Sequence, residues 1–247
     1  GTRANPKPCQ GGESVVGTTG KGDDPIGLQS SGDVETDLAE IAHCLPSDTA
    51  QSWRTLLPAI PRTAYLAGGT ALAVHLRHRI SRDLDVFLEE PFNPEQLARI
   101  LTHLGPFTPT GVAERALNGI FSATKVQFLE ALRHNHLIEP LVFAGMRIAS
   151  PEDLLAMKLK VIGDRAEMRD YFDVVVIEQK TDLSVEQGLA FFVERYRPLA
   201  PDSAVDHIVR GLGYLDDVGD DPGLPVEGSV VREYWESRSR QVLRHTS

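Results

Sequence analysis

Residues 68–88 read GGTALAVHLRHRISRDLDVFL, and the architecture of the chain can be worked out from this stretch. It follows a short apolar run, Thr63–Ala67, that predicts a strand. The two glycines predict a tight turn, and Thr70 is then expected to cap a helix from Ala71 to about Arg79. From Asp83 to Leu88 acidic and apolar residues alternate, which is the period of a strand with two different faces. The stretch therefore predicts strand, turn, helix and a second strand.

Two acidic side chains on the second predicted strand form a candidate metal site. Asp83 and Asp85 are two residues apart, so both lie on one face of the strand and can share divalent cations. At the helix entrance, Gly68 and Gly69 let the backbone pass close to a triphosphate, while unpaired N–H groups and the helix dipole attract the anion. Thr70 adds a hydroxyl. Phosphoryl transfer needs mainly such carboxylates and phosphate-binding donors, so the stretch predicts that chemistry.

Charge is distributed unevenly along the chain. The 247 residues carry a formal net charge of -10, which argues against a protein that binds nucleic acids through a broad positive surface. Residues 61–82, however, include four arginines and no acid. This local positive charge beside the candidate metal site predicts an anionic nucleotide as the ligand.

The rest of the sequence predicts an α/β (α+β) fold, a mixed sheet with flanking helices and a C-terminal helical lobe. Candidate strands cover residues 124–129 and 141–148. The remaining helices are predicted from apolar residues at helical spacing or from capping residues, and one loop separates the last two. They are helical structure from Asp33 to the first strand, a helix over Asn93–Leu104, helices after Pro151 and over about 166–179, a helix capped by Ser184 with Gln187, a helix over 202–212, a loop over 215–228 and a last helix.

Composition divides the chain into three segments. Residues 1–34 are rich in Gly, Ser, Thr, Asp and Pro and have almost no bulky apolar residues, so burial cannot offset the entropy of ordering them. They predict a flexible leader. Residues 35–150 hold the candidate site and form the predicted catalytic core. Residues 151–247 form the predicted helical lobe, which we expect to complete the active-site cleft.

The sequence also predicts a location. No run of residues approaches the roughly 18 consecutive apolar residues that a membrane span needs, and the start has no basic segment followed by an apolar one. The two cysteines have no spacing typical of a zinc site or a disulfide framework. These features predict a cytoplasmic protein without a membrane partner.

Two blocks of residues resemble a known family. The segment from Gly68 to Asp85 looks like the AbiEii/AbiGii nucleotidyltransferase toxins of the DNA polymerase beta superfamily, to which the MenT toxins are related. A second block, residues 153–173, is similar to the later lysine and aspartate motif of the family. The resemblance covers roughly residues 60 to 180, and two blocks in the same order are more specific than either one. It implies a polymerase-beta-type sheet.

The resemblance implies roles for the first block. Asp83 and Asp85 would bind two Mg²⁺ ions, with Mn²⁺ as an alternative, and act in catalysis. Gly68, Gly69 and Thr70 would lie against the triphosphate of the NTP substrate. The acids and the glycine turn are therefore expected to lie close together in the fold.

The second block would complete the site. Lys158 would contact the nucleotide phosphates and offset charge as pyrophosphate leaves, and Asp173 would complete the catalytic set. Ser81 would belong to the nucleotide site, and at this position some relatives carry a serine whose phosphorylation by an antitoxin kinase silences the enzyme. By residue pattern alone, Lys158 also fits a surface lysine and Asp173 an ion pair on a helix surface.

One position departs from the pattern of polymerase-beta enzymes. These enzymes commonly carry a third carboxylate on a later strand, where this sequence has Gln127. The general base is therefore open. Either the acceptor hydroxyl is deprotonated inefficiently, or Asp173 takes the proton.

The expected reaction is transfer of a nucleoside monophosphate from an NTP to a hydroxyl acceptor. The resemblance implies that the acceptor is the 3′ end of tRNA and that the protein is the toxin of a toxin–antitoxin or phage-defence system, with a cognate antitoxin as partner. Two alternatives stay open. One is a nucleotidyltransferase that modifies a small molecule or a protein, and the other is a catalytically inactive nucleotide-binding module.

Overall fold

Seven strands and nine α-helices form the part of the chain that this computed structural model describes, residues 30–165 and 167–246. The helices are α1 (Ser31–Glu40), α2 (Ser47–Leu56), α3 (Gly68–Leu76), α4 (Pro94–Leu104), α5 (Pro151–Asp164), α6 (Met168–Lys180), α7 (Val185–Tyr196), α8 (Pro201–Leu212) and α9 (Gly228–Thr246). The strands are β1 (Tyr65–Ala67), β2 (Leu84–Leu88), β3 (Phe107–Ala113), β4 (Ala116–Phe121), β5 (Thr124–Glu130), β6 (Leu141–Phe143) and β7 (Met146–Ile148). None of these helices combines the length and the apolar composition needed to cross a membrane.

All seven strands belong to one mixed sheet with the order β3-β4-β5-β2-β1-β7-β6. Strand β2 pairs antiparallel with β1 and parallel with β5. Leu84, Val86 and Leu88 of β2 are buried in the core, so Asp85 points to the opposite face of the sheet. Its partner on β5 is Gln127. The predicted α/β (α+β) fold with a mixed sheet is confirmed.

Helix α3 begins earlier than the sequence predicts. It starts at Gly68, directly after β1, with Ala67 as the N-cap residue and no side-chain cap. Thr70 lies inside the first turn, so the prediction that Thr70 caps this helix is wrong. The consequence is that both glycines belong to the helix start and present its first N–H groups.

Helix α1 begins inside the segment predicted as a leader. It starts at Ser31, and Ser30 and Asp33 form a capping box at its N-terminus. Residues 31–34 of the predicted leader are therefore helical, and Val34 packs into the core. Residues 1–29 lie outside the described residues.

The outer strands of the sheet differ most from the predictions. The strand predicted over residues 141–148 is a hairpin, β6 and β7, because Ala144 and Gly145 have positive φ angles of 47° and 76° and reverse the chain. The sequence does not predict the hairpin of β3 and β4, because most side chains of β3 are exposed and the strand contains a proline and a glycine.

A continuous hydrophobic core joins the sheet to the C-terminal helices. It includes Leu66 and Val86 of the sheet, Leu155 and Leu159 of α5, and Trp235 of α9. The helices after residue 150 therefore pack on the same core as the sheet. Helix α5 also lines the same cleft as Asp85, so it lies over the sheet face that carries this acid.

A buried ion pair also connects the sheet to the helices. Arg195 of α7 and Asp153 of α5 form a salt bridge in which both side chains are fully buried. The same guanidinium donates to the Tyr65 hydroxyl of β1 and to the Asn135 carbonyl oxygen, each at 2.7 Å. Because a buried charge that loses its partner destabilises a fold strongly, this pair ties α5 and α7 to β1.

We expect replacement of Arg195 by methionine to lower the melting temperature by roughly 10 °C. The variant leaves the Asp153 carboxylate buried without its cation, which costs about 3–5 kcal/mol. Calorimetry of the two proteins measures the difference. The control is Arg99→Met, whose ion pair with Glu95 is exposed and 3.8 Å long, and it should melt with the parent. Melting of Arg195→Met together with that control would show that the buried pair is dispensable.

Candidate active site

A cleft of about 550 Å³ lies over the sheet face that carries Asp85 and Gln127. Side chains of β2 and β5 line it, together with Asp83, which directly precedes β2. The other walls come from α5, the start of α6, the glycine turn, residues 79–82 and the loop between α8 and α9. The acids of β2 and the glycine turn therefore face the same space.

The glycine turn is in close contact with its neighbours. Gly68 has a φ of +68°, and a Cβ atom at this position would lie 2.1 Å from Oδ2 of Asp85. A Cβ atom on Gly69 would lie 2.5 Å from Nη2 of Arg79 and 3.0 Å from Oγ of Ser81. A Cβ atom at either position would require the neighbouring side chain to move, and at Gly68 the positive φ would add backbone strain. The two glycines thus allow the close approach of the backbone to these polar groups.

The two acids carry negative charge that the surrounding cations only partly offset. Burial and the neighbouring charge of Asp83 raise the pKa of Asp85 to about 6, against the opposing effect of Lys158, Lys125 and Arg165. A cation that binds between the two carboxylates relieves their mutual repulsion, so its binding is favourable.

Asp83 and Asp85 fit a hard divalent cation, because both supply carboxylate oxygens. Among residues 30–165 and 167–246, no group of three or more His, Cys, Asp and Glu side chains is placed to hold a metal. The two acids therefore supply part of a coordination sphere. The oxygens of a triphosphate and water would supply the rest, as is usual for Mg²⁺ at nucleotide sites.

Thr70 and Ser81 lie side by side under the glycine turn. The Thr70 hydroxyl donates to the Asp83 carbonyl oxygen at 2.5 Å and lies 2.8 Å from the Ser81 hydroxyl oxygen. Thr70 is buried and does not line the cleft, whereas Ser81 does. The hydroxyl of Thr70 thus holds the backbone before β2 against α3, and Ser81 is the hydroxyl that faces the cleft.

Lys158 of α5 lines the cleft and is held by two acids of α6. Its Nζ atom lies 2.7 Å from Oδ1 of Asp170 and 2.7 Å from Oδ2 of Asp173. Burial alone would lower the pKa of Lys158, but the charges of Asp173 and Asp170 raise it above its ordinary value. The side chain therefore stays an ammonium ion that faces the cleft.

Asp173 is fully buried and does not line the cleft. Besides Lys158, its carboxylate contacts Nε and Nη2 of Arg79, at 2.7 and 2.8 Å, and Nε2 of His78, at 2.8 Å. Burial alone would raise the pKa of Asp173, but the charges of Lys158 and Arg79 hold it well below its ordinary value. The geometry thus makes Asp173 a positioning residue for Lys158 and Arg79.

Gln127 lies beside Asp85, at the place where the pattern of polymerase-beta enzymes predicts a third acid. The register pairs Asp85 with Gln127, and the Gln127 side chain donates to Oδ1 of Asn118 at 2.7 Å. A neutral amide at this place neither adds a metal-binding charge nor accepts a proton.

Basic side chains surround the cleft, and the sequence points to only some of them. Arg82 and Lys125 line it and are exposed, and Arg165 and Arg169 line it from the end of α5 and the start of α6. Arg82 lies in the arginine-rich segment, but the positions of the other three depend on how β5, α5 and α6 pack. Together they give the cleft a positive border in an acidic protein.

The loop between α8 and α9 also lines the cleft, with Asp221, Pro222, Gly223 and Leu224. The sequence predicts a loop here but gives no sign of where it lies. Arg232 of α9 holds the segment just before Asp221, because its guanidinium donates to the Asp220 carboxylate and to the Val218 carbonyl oxygen, each at 2.6 Å.

A family model described as "Nucleotidyl transferase AbiEii toxin, Type IV TA system" matches residues 57–116 and 126–225. The uncharacterized protein aq_aa25 of Aquifex aeolicus (strain VF5) is 28% identical over 187 residues, which cover 73% of this chain and 88% of that protein. Two solved structures are similar in fold. One is a candidate nucleotidyltransferase from H. pylori, with 17% identity, a TM-score of 0.49 and coverage of 87% of this chain and 96% of that one. The other is the MenT4 nucleotidyltransferase toxin of Mycobacterium tuberculosis H37Rv, with 14% identity, a TM-score of 0.44 and coverage of 88% of this chain and 98% of that one.

We expect Gly68→Ala to weaken binding of Mn²⁺, used as a paramagnetic probe, by roughly 10- to 100-fold, the range seen when neighbours of metal ligands are disturbed. The new methyl group would displace the Asp85 carboxylate, which lies 2.1 Å from the position of the added Cβ atom. Electron paramagnetic resonance titration of free Mn²⁺ measures the affinity. The matched control is Gly219→Ala, because a Cβ atom there has no neighbour within 4 Å. Equal Mn²⁺ affinity in both variants would contradict the assignment of Asp85.

Proposed function

The chain belongs to the AbiEii nucleotidyltransferase toxin family, and from this membership we propose that it transfers a nucleoside monophosphate from an NTP to a hydroxyl acceptor. In this reaction the acceptor oxygen bonds to the α-phosphorus. The bond from that phosphorus to the bridging oxygen breaks, pyrophosphate leaves with the electron pair, and the acceptor hydroxyl gives its proton to solvent water.

The observation that carries the proposal is the shared position of three groups in one cleft. The acids Asp83 and Asp85, the start of α3 at Gly68, and the ammonium group of Lys158 all line it. The acids attract cations, whereas the helix start and the lysine attract phosphate. A metal-bound triphosphate is the ligand that satisfies all three groups at once.

Asp83 and Asp85 would hold two Mg²⁺ ions, with Mn²⁺ as a substitute. When bound, such ions neutralise charge on the phosphates and lower the pKa of the attacking hydroxyl. The protein supplies the fixed positions, since both acids lie on one rigid strand or next to it. The raised pKa of Asp85 fits this role, because a cation removes the repulsion between the two carboxylates.

The phosphates would lie between the glycine turn and Lys158. The first N–H groups of α3, at Gly68 and Gly69, would donate to phosphate oxygens. Lys158 would offset the charge that develops on the leaving pyrophosphate, and Asp170 and Asp173 keep its side chain in place. Ser81, which lines the cleft beside the turn, would contact the same phosphates.

We further propose the 3′ end of tRNA as the acceptor and a toxin–antitoxin or phage-defence role, in which a cognate antitoxin binds the protein. The toxin family supports the role. The exposed Arg82 and Lys125 at the cleft support a polyanionic acceptor, because they place positive charge at the entrance of an otherwise acidic protein.

One observation favours a second candidate. Gln127 beside Asp85 is neutral and hydrogen-bonded to Asn118, which fits a nucleotide-binding module without transfer activity. A transferase that modifies a small molecule or a protein would share the nucleotide half of the site and differ in its acceptor. The labelled product distinguishes the three possibilities.

The test is to incubate the purified protein with Mg²⁺, each α-labelled NTP in turn, and total RNA. We expect the parent to label RNA with at least one NTP, and labelling by Asp83→Asn and by Lys158→Ala to fall at least about 100-fold, because each change removes a charge that acts on the phosphates. Gel electrophoresis with phosphorimaging measures the product.

Asp202→Asn is the matched control, since Asp202 is an exposed acid in the first turn of α8, outside the cleft. It should label RNA as the parent does. Full labelling by Asp83→Asn would remove the assignment of the metal site. Nucleotide binding by the parent without any labelled product would favour the inactive module, and labelled protein instead of RNA would favour the other acceptor class.

A charge at Ser81 should block nucleotide binding. Ser81 is only 6% exposed and lines the cleft under the glycine turn, so a phosphate or carboxylate there would repel the triphosphate. We expect Ser81→Glu to weaken NTP binding at least tenfold, an order-of-magnitude effect of like charges in contact. Ser81→Ala should bind within about threefold of the parent, because Thr70 keeps its bond to the Asp83 carbonyl oxygen.

Isothermal titration with Mg²⁺ and the NTP measures both affinities, and melting curves establish that each variant is folded. Folded Ser81→Glu that binds NTP as tightly as Ser81→Ala would show that Ser81 is not next to the triphosphate.

A further inference from the structure

Asp170 has a carboxylate oxygen that no group of the described chain satisfies. The residue is 4% exposed and lines the cleft. Its Oδ1 atom accepts from Lys158 at 2.7 Å, whereas its buried Oδ2 atom has no hydrogen-bond partner. Because a buried acceptor without a donor is costly, this atom marks a place where a ligand group is expected.

The missing partner is a donor group of the ligand. A phosphate is excluded, because it carries the same charge as the carboxylate. A metal ion shared with Asp83 and Asp85 fits less well, because a cation, Lys158, already contacts this carboxylate and no three His, Cys, Asp or Glu side chains of the described residues are placed to hold one ion together. A neutral hydroxyl or amino group remains, and a charged acceptor binds such a donor more strongly than a neutral acceptor does.

Lys158 indicates which part of a nucleotide reaches Asp170. Its ammonium group contacts Asp170 directly, and its charge also acts on Asp85. The sugar of an NTP is joined to the α-phosphate, one phosphate away from the pyrophosphate that Lys158 would contact, so a sugar hydroxyl lies within reach of a carboxylate that touches Lys158. The base lies beyond the sugar. The burial of Asp170 also favours the enclosed nucleotide over an acceptor that enters past the exposed Arg82 and Lys125.

From this placement we propose that Oδ2 of Asp170 accepts a hydrogen bond from a ribose hydroxyl of the bound NTP, so that Asp170 makes the site select nucleotides that carry this hydroxyl over the analogue that lacks it. The inference rests on the proposed function, because it requires an NTP in the cleft. Asp170 differs in this from Asp173, whose carboxylate contacts only groups of the protein and lies outside the cleft.

The test compares the affinities of an NTP and its 2′-deoxy and 3′-deoxy analogues by isothermal titration with Mg²⁺, using the base that the parent binds most tightly. We expect the parent to bind one of the two analogues about tenfold or more weakly than the NTP, since that analogue leaves the buried oxygen unpaired. Asp170→Ala should bind the NTP and this analogue with equal affinity, and Asp170→Asn should show an intermediate ratio.

The readout is the ratio of the affinity for the NTP to the affinity for its deoxy analogue. Loss of Asp170 also frees Lys158 and should weaken the binding of every triphosphate alike, an effect that by itself leaves this ratio unchanged. The matched control is Asp221→Asn, since Asp221 also lines the cleft but its carboxylate already accepts from the Gly223 N–H at 2.8 Å. It should keep the parent ratio. An Asp170→Ala ratio equal to that of the parent, or a parent that does not discriminate, would overturn the inference. Failure of the parent to bind any NTP would instead overturn the proposed function.

Discussion

The site depends on one close approach, that of the Gly68 backbone to the Asp85 carboxylate. Strands β1 and β2 are antiparallel neighbours, and the register pairs Ala67 with Asp85, so the glycine that follows β1 comes directly beside the acid. The start of a helix, which attracts anions, and a carboxylate, which attracts cations, therefore share one space. A shift of the register by one residue would turn Asp85 into the core and Val86 into the cleft. The position of the acid in the cleft therefore depends on the pairing of the strands.

The positive side of the site is fixed by buried acids. Asp173 contacts both Lys158 and Arg79, so one carboxylate positions a cation from α5 and another from the segment before β2. Because all three side chains are at least nine-tenths buried, loss of any one would leave an unpaired charge. The network therefore makes the arrangement of α5, α6 and the 79–82 segment rigid where the phosphates are expected to lie.

The sequence predicts those parts of the site that lie close together along the chain. Alternation over residues 83–88 predicts β2 and the common face of its acids, because one face of the strand must be buried. Gln127 is also expected near that pair, and the register confirms its place beside Asp85. The different surroundings of Asp170 and Asp173 are not predictable, since the two are three residues apart on one helix and both contact Lys158. The contacts of His78 and Arg79 with Asp173 are what separate them. The position of Asp221 is not predictable either, because it lines the same cleft as residues 79–82 although it is far from them in sequence.

The loop that holds Asp221 is one of the last parts of the cleft to form during synthesis. Arg232 of α9 holds the segment of this loop just before Asp221, and α9 is the last of the described helices to leave the ribosome. The sheet, the acids of β2 and Lys158 emerge earlier, so a nascent chain has its nucleotide-binding groups before one wall of the cleft is in place. Completion of the enclosed site is thereby delayed until translation of the described chain is almost finished.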